Sequence, residues 1–223
     1  MRYILKAIVA LALFASANAN AILISSLDTP TAFSVSGDIG GGIVLTATGT
    51  VTITGGFGTN ALDLHVVLNN DSTQNGAPYT PADGVTLIGW GFGVNPNMSD
   101  VTFVGSGGGM IDATADNLPG LTGIEVCAWG GNGCSGNDPG GILAGNSDSF
   151  DLVLTGNWGE SIIFDPIGAR FRTGDGTFSF DCTGACIDPA SVPEPGSIAL
   201  VAVALLAFGG VRARKLLTSA TSR

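Results

Sequence analysis

The chain has 223 residues, 45% of them hydrophobic and only 12% charged, with 35 glycines and a formal net charge of −10. Of its eight Lys and Arg, only Arg170 and Arg172 lie away from the two ends, whereas all but one of the eighteen acidic residues lie between those ends. A body so acidic repels phosphate backbones and anionic headgroups, which excludes a nucleic-acid-binding role. The Val, Ile, Thr and Phe between the glycines exclude a disordered chain, and the lack of a three-residue glycine period excludes collagen.

At the start, Arg2 and Lys6 flank an apolar stretch at 7–15, followed by Ala17-Asn18-Ala19. A positive flank, a short apolar core and an Ala-x-Ala site define a signal peptide, 1–19, cleaved after Ala19. The overlapping Ala19-Asn20-Ala21 offers cleavage after Ala21 instead. The Sec export machinery and signal peptidase are the partners this implies. Residues 20–191 then form a body whose length suits one domain.

No part of that body sustains a 3.6-residue apolar period. Short runs alternate with period two between Gly, Asn, Asp and Pro, which predicts strands. They fall at 32–36, 43–54, 61–69, 85–91, 101–104, 123–128, 149–155, 161–164, 167–172 and 177–181. In the second, Gly49 marks a bulge or bend, and Val51 and Ile53 face away from Thr50, Thr52 and Thr54. In the third, Leu62, Leu64, Val66 and Leu68 oppose Asp63 and His65. Residues 173–176 read as a hairpin turn. The prolines and Asn-Gly step of 70–84 argue against a strand there, leaving a long loop around Tyr79. The expected fold is all-β, an antiparallel β-sandwich with a possible jelly-roll connection.

The four cysteines fall in two close pairs, Cys127/Cys134 and Cys182/Cys186. Export puts them in an oxidising compartment, where an even number implies disulfides. Local pairing closes two small rings, and cross-pairing of the two loops stays open. Zinc is disfavoured by the spacing, the compartment and the single His.

The chain ends on Val192-Pro193-Glu194-Pro195-Gly196, an uncharged apolar run at 197–211 and a basic cluster, Arg212, Arg214 and Lys215. The prolines hold an extended segment before a helix. About 15 helical residues span roughly 22 Å, short for a hydrocarbon core of about 30 Å. The basic cluster should stay cytoplasmic, which leaves the body outside. This tripartite tail, 192–223, resembles the PEP-CTERM sorting domain of Gram-negative bacteria. The resemblance implies recognition by exosortase, a membrane-embedded cysteine protease-like transpeptidase of bacteria that make exopolysaccharide. The body, with Cys-Ala-Trp-Gly-Gly-Asn-Gly-Cys, Gly-Ile-Leu-Ala-Gly and Asp-Ser-Phe-Asp-Leu in the region 124–180, is similar to a subgroup of PEP-CTERM proteins called cistern.

Catalytic signals are thin. His65 is the only histidine, and no G-x-S-x-G turn accompanies it. The glycine-rich stretches at 105–109 and 130–141 lack a following Lys-Ser/Thr and helix, so they do not read as phosphate cradles. A non-enzyme with no catalytic residues and no cofactor is expected. For binding, Asn137, Asp138, Asn146 and Asp148 are calcium candidates without an EF-hand pattern. Trp129 and Tyr79 are candidate glycan contacts, with Trp129 the least buried of the three tryptophans. The expected function is an exported protein sorted by an exosortase, with a structural or adhesive role in biofilm or exopolysaccharide. A secreted carbohydrate-binding module is the alternative. The implied route is an inner-membrane intermediate with its body in the periplasm, then the outer surface or extracellular matrix of a Gram-negative bacterium.

Overall fold

The computed structural model describes residues 21–79, 84–105, 108–136 and 140–182. The expected signal peptide, the tail from 192 onward, Asp138 and Cys186 lie outside the described residues. The chain divides into two units, Met1–Asp188 and Pro189–Arg223, and every described residue belongs to the first.

The described residues carry fourteen strands and no helix: β1 (Ile22–Ile24), β2 (Thr31–Gly40), β3 (Ile43–Gly55), β4 (Ala61–Asn70), β5 (Thr73–Gln74), β6 (Ala77–Pro78), β7 (Thr86–Asn95), β8 (Met98–Val104), β9 (Asp112–Thr114), β10 (Val126–Trp129), β11 (Ile142–Leu143), β12 (Ser147–Gly156), β13 (Ile162–Thr173) and β14 (Gly176–Cys182). They form two antiparallel sheets in a sandwich. One sheet runs β1-β13-β7-β10-β9, with β14 also on β13 and β11 on β7; the other runs β6-β5-β3-β4-β12-β8, with β2 on β3. Late strands are inserted between early ones, β12 between β4 and β8 and β13 between β1 and β7. Such interleaving is the jelly-roll way of closing a sandwich, although the β2-β3-β4 meander adds strands at one side.

Period-two patterning decides the faces. Val51, Ile53, Leu62, Leu64, Val66, Leu68, Phe150, Leu152 and Leu154 are all buried between the sheets, while Asp63, His65 and Asp151 lie on the outer face. An aromatic group joins the layers. Trp90 of β7 stacks on Phe33 of β2, with ring centroids 5.3 Å apart, and meets Phe150 of β12 edge-on at 6.3 Å. Phe92 and Phe164 add an edge contact at 4.9 Å within the first sheet.

Four local expectations change. Gly49 is no bulge: β3 runs through it in register with Phe33 and Leu68, and its ladder shifts instead between Ile53 and Gly55. The missing side chain serves packing, since a Cβ there would sit 2.1 Å from the Val67 carbonyl oxygen and 2.7 Å from the Phe33 ring. The runs 161–164 and 167–172 are one strand, β13, whose pairing with β7 shifts between Phe164 and Ile167 to accommodate Pro166. The stretch 70–84 contains a hairpin, β5-β6, turned by Asn75 (φ 52°) and Gly76 (φ 80°). Asn-Gly supplies the two positive φ angles that such a turn needs, and Pro78 is tolerated because β6 is an edge. Finally, β1 lies where no strand was expected, with Ile22 and Ile24 buried and paired to Phe164 and Ile162.

β7 is buried on both faces along Thr86–Val94. Its inner face carries Trp90, Phe92 and Val94, and its outer face is a ladder of Gly89, Gly91 and Gly93. A Cβ on Gly91 would lie 2.3 Å from the Val126 carbonyl oxygen and 2.8 Å from Ile124; one on Gly93 would lie 2.2 Å from the Gly123 carbonyl oxygen. These glycines let the segment around Leu118, Leu121 and Ile124 lie directly on the sheet. Gly91→Ala should therefore destabilise the mature protein by about 1–3 kcal/mol, the usual cost of overpacking. Gly159→Ala, which meets nothing within 4 Å, should stay within about 0.5 kcal/mol of wild type. Denaturant titration of the two variants checks the contrast.

Candidate functional site

Three side-chain clusters deserve a chemical reading, and the first lies under the segment just described. Cys127 and Cys134 form a disulfide with Cα atoms 6.1 Å apart. Both cysteines are buried with Leu118 and Ile124 in a second, small core outside the first sheet, with Leu121 and Trp129 packed against it. Local pairing is thus the connectivity of this loop, and cross-pairing is not. Cys182 is disulfide-bonded as well, with its partner outside the described residues. Arg170 fastens the same cover from the sheet. Its guanidinium donates to the Pro119 carbonyl at 2.9 Å, to Ser179 Oγ at 3.3 Å and to Thr177 Oγ1 at 3.3 Å. Burial pulls its pKa below the ordinary arginine value. One of the body's two cations is therefore a clamp on a loop.

The second cluster surrounds Asp148, at the start of β12. Its carboxylate accepts four backbone N–H groups: Gly108 at 2.8 Å, Gly109 at 2.9 Å, Met110 at 2.7 Å and its own neighbour Ser149 at 2.9 Å. Charge-assisted bonds of this kind tie the 108–110 loop to β12. Each oxygen accepts two of these N–H groups, which makes Asp148 an anchor of this loop. Among the described residues, no group of three or more His, Cys, Asp or Glu is placed to hold a metal.

The third is the pair His65–Asp151 on the outer face of the second sheet. β4 and β12 place the two directly opposite each other, and Nδ1 lies 2.6 Å from Oδ1. Thr52 is the register partner of His65 on its other side. An open depression lined by Thr54, Asp63, Val104 and Val153 surrounds them. The residue types resemble a relay, but the side chains are 43% and 56% exposed on a flat strand face. It is a cross-strand polar pair.

The candidate glycan contacts separate. Tyr79 is 8% exposed and belongs to the main core, so it is not the surface residue expected from its loop. Its neighbours explain this: the β5-β6 hairpin folds the segment back, and the Tyr79 N–H bonds the Ser72 carbonyl at 3.0 Å. Trp90 and Trp158 are core residues, the latter donating from Nε1 to the Leu154 carbonyl at 2.9 Å. Trp129 is the most exposed of the three tryptophans, half-buried beside the disulfide.

The described residues thus define a disulfide-stapled, all-β body. Residues 191–215 match the model of the PEP-CTERM protein-sorting motif, so the chain carries a PEP-CTERM sorting signal. No curated protein and no solved structure matches the chain. The signal implies export, membrane-anchored transit toward the cell surface and processing by an exosortase-type system. No helix among the described residues is long and apolar enough to cross a membrane; the span expected at 197–211 lies outside them.

Asp148→Ala should cost about 2–3 kcal/mol, because it strips the acceptor from several backbone donors at once. Added calcium and EDTA should leave the thermal midpoint of wild type and variant unchanged. Thermal unfolding with and without the ion checks both parts.

Proposed function

We propose that this is a non-catalytic surface or extracellular-matrix protein, delivered by its sorting tail and acting as a structural or adhesive component of a biofilm or exopolysaccharide layer. The observation that carries the reading is the sorting motif at 191–215. Val192, Pro193, Glu194, Pro195 and Gly196 are the residues the processing enzyme would read, and Ala17 and Ala19 those read by signal peptidase. The form of the body supports a structural role. Its chemistry-bearing residues are spent on holding it together: Arg170 on a loop, Asp148 on another, His65 on Asp151. Its acidic surface keeps it soluble and away from anionic membranes after release. Likeness of the body to the cistern subgroup fits this reading and adds no activity.

The carbohydrate-binding alternative is weakened by the burial of Tyr79, which takes one of its two candidate contacts off the surface. Replacing Pro193, Glu194 and Pro195 together by Ala tests the sorting half in the native host. The variant should accumulate in the membrane fraction with its tail attached, while wild type loses the tail. Equal rates of tail removal would sink the reading.

A further inference from the structure

β2 closes the second sheet on one side and pairs with β3 alone. The direction of its backbone groups follows from that partner. The Thr46 N–H bonds Ser72 Oγ at 3.1 Å, and the Thr46 carbonyl accepts the Asp71 N–H at 2.9 Å. Thr46 is therefore turned away from β2, so its register partner Ser36 is turned away from β3. Antiparallel pairs alternate, which gives Ala32 and Ser34 the same outward direction, while Phe33 and Val35 make the ladder with β3. Among the described residues, nothing bonds the outward N–H and C=O groups of Ala32, Ser34 and Ser36.

Proteins blunt such edges with short strands, proline, charge or a bulge. The other edges here follow that rule. β6 has two residues and ends on Pro78, and β9 has three. β8 carries Asp100 and a register shift against β12. β14 ends on Asp181 and the disulfide-bonded Cys182. β2, in contrast, keeps an unbroken register from Thr31 to Asp38, without proline, lysine or arginine. Its surroundings are almost uncharged as well: Asp38 is the only charged residue between 29 and 62, in a body that is otherwise rich in carboxylates. Contact between two copies through the Asp-bearing faces brings like charges together, and a basic strand would be drawn to those faces rather than to this edge. The strand that fits β2 is neutral, with hydroxyls on one face and apolar groups on the other. β2 is itself such a strand, with Ser34 and Ser36 on the outer face and Phe33 and Val35 in the core.

We propose that β2 is a self-association edge, on which a second copy of the body lays its own β2 antiparallel, making the sheet continuous across a two-fold axis. The register that uses the whole unbroken run puts Ser34 opposite the partner's Ser36 and Ala32 opposite the partner's Asp38. Each of these pairs exchanges two N–H···O bonds, and the serine hydroxyls meet on the outer face. Val35 lies opposite the partner's Val35 at the axis, and Asp38 never faces its own copy. The inference goes beyond the structural role given above by supplying a means of joining copies in pairs.

Sedimentation of the protein recovered from the native host tests it. Wild type should be dimeric at about 50 μM, well within the range of a modest interface. Ser34→Pro removes an outward N–H that the β3 ladder does not use, so it should keep the wild-type thermal midpoint and dissociate at least about tenfold more readily. Ser36→Lys puts a charge on the same edge and should do the same, which keeps the test decisive if the proline variant does not fold. The register is read by oxidative cross-linking: a mixture of Ser34→Cys and Ser36→Cys chains should give at least about fivefold more cross-linked dimer than either alone. Monomeric wild type at that concentration overturns the proposal, whatever other strand the edge accepts. So does a folded Ser34→Pro or Ser36→Lys variant that dimerises as tightly as wild type, or a cross-link no stronger in the mixture than in either variant alone. None of these results bears on tail removal, which shares no residue with β2, so the two readings fail separately.

Discussion

The pairing of β13 with β7 is the contact on which the remaining architecture depends. β7 is buried on both faces, which a strand achieves only if something covers its outer side as well as its inner one. Gly89, Gly91 and Gly93 supply the room, and Leu118, Leu121 and Ile124 supply the cover. The Cys127–Cys134 disulfide and the Arg170 guanidinium then hold that cover down. On the far side, β13 receives β1 and β14, the first and last described strands. A single two-strand ladder thus organises the main core, the small outer core and the seats of those two strands.

This arrangement explains where the polar chemistry of a glycine-rich, acidic chain has gone. Asp148 ties down a turn by accepting four backbone N–H groups. His65 faces Asp151 because two strands place them in register, and their exposure keeps the interaction modest. Among the described residues, these side chains hold loops and strands together. What distinguishes the chain is its address, the sorting motif at 191–215.

Much of this was legible in the sequence because period-two alternation is a strong signal when one strand face is buried. Val51, Ile53 and the Leu62–Leu68 series could be assigned to the core from their spacing alone. The misses have physical causes. β1 has three residues and is a strand only because β13 offers an edge. The runs 161–164 and 167–172 read as two strands, yet a register shift lets β13 run on through Pro166. Gly49 looked like a bend, whereas the Phe33 ring needs its empty space. The partnership of His65 with Asp151, the nest around Asp148 and the clamp at Arg170 join residues far apart in the chain, which no local pattern encodes. Tyr79 was placed on the surface because its hairpin, with an Asn-Gly turn and a proline at the edge, was read as a loop. The sorting motif was legible, since a sorting signal must be readable as linear sequence.

We propose that the functional molecule is the stapled sandwich alone, with both addresses removed. Intact-mass analysis of the protein recovered from the native cell surface or matrix tests this most directly. The account predicts a chain that begins at Asn20 or Ile22, ends upstream of the apolar run at 197–211 and has its four cysteines oxidised. A recovered chain that still contains residues 197–223 would contradict it.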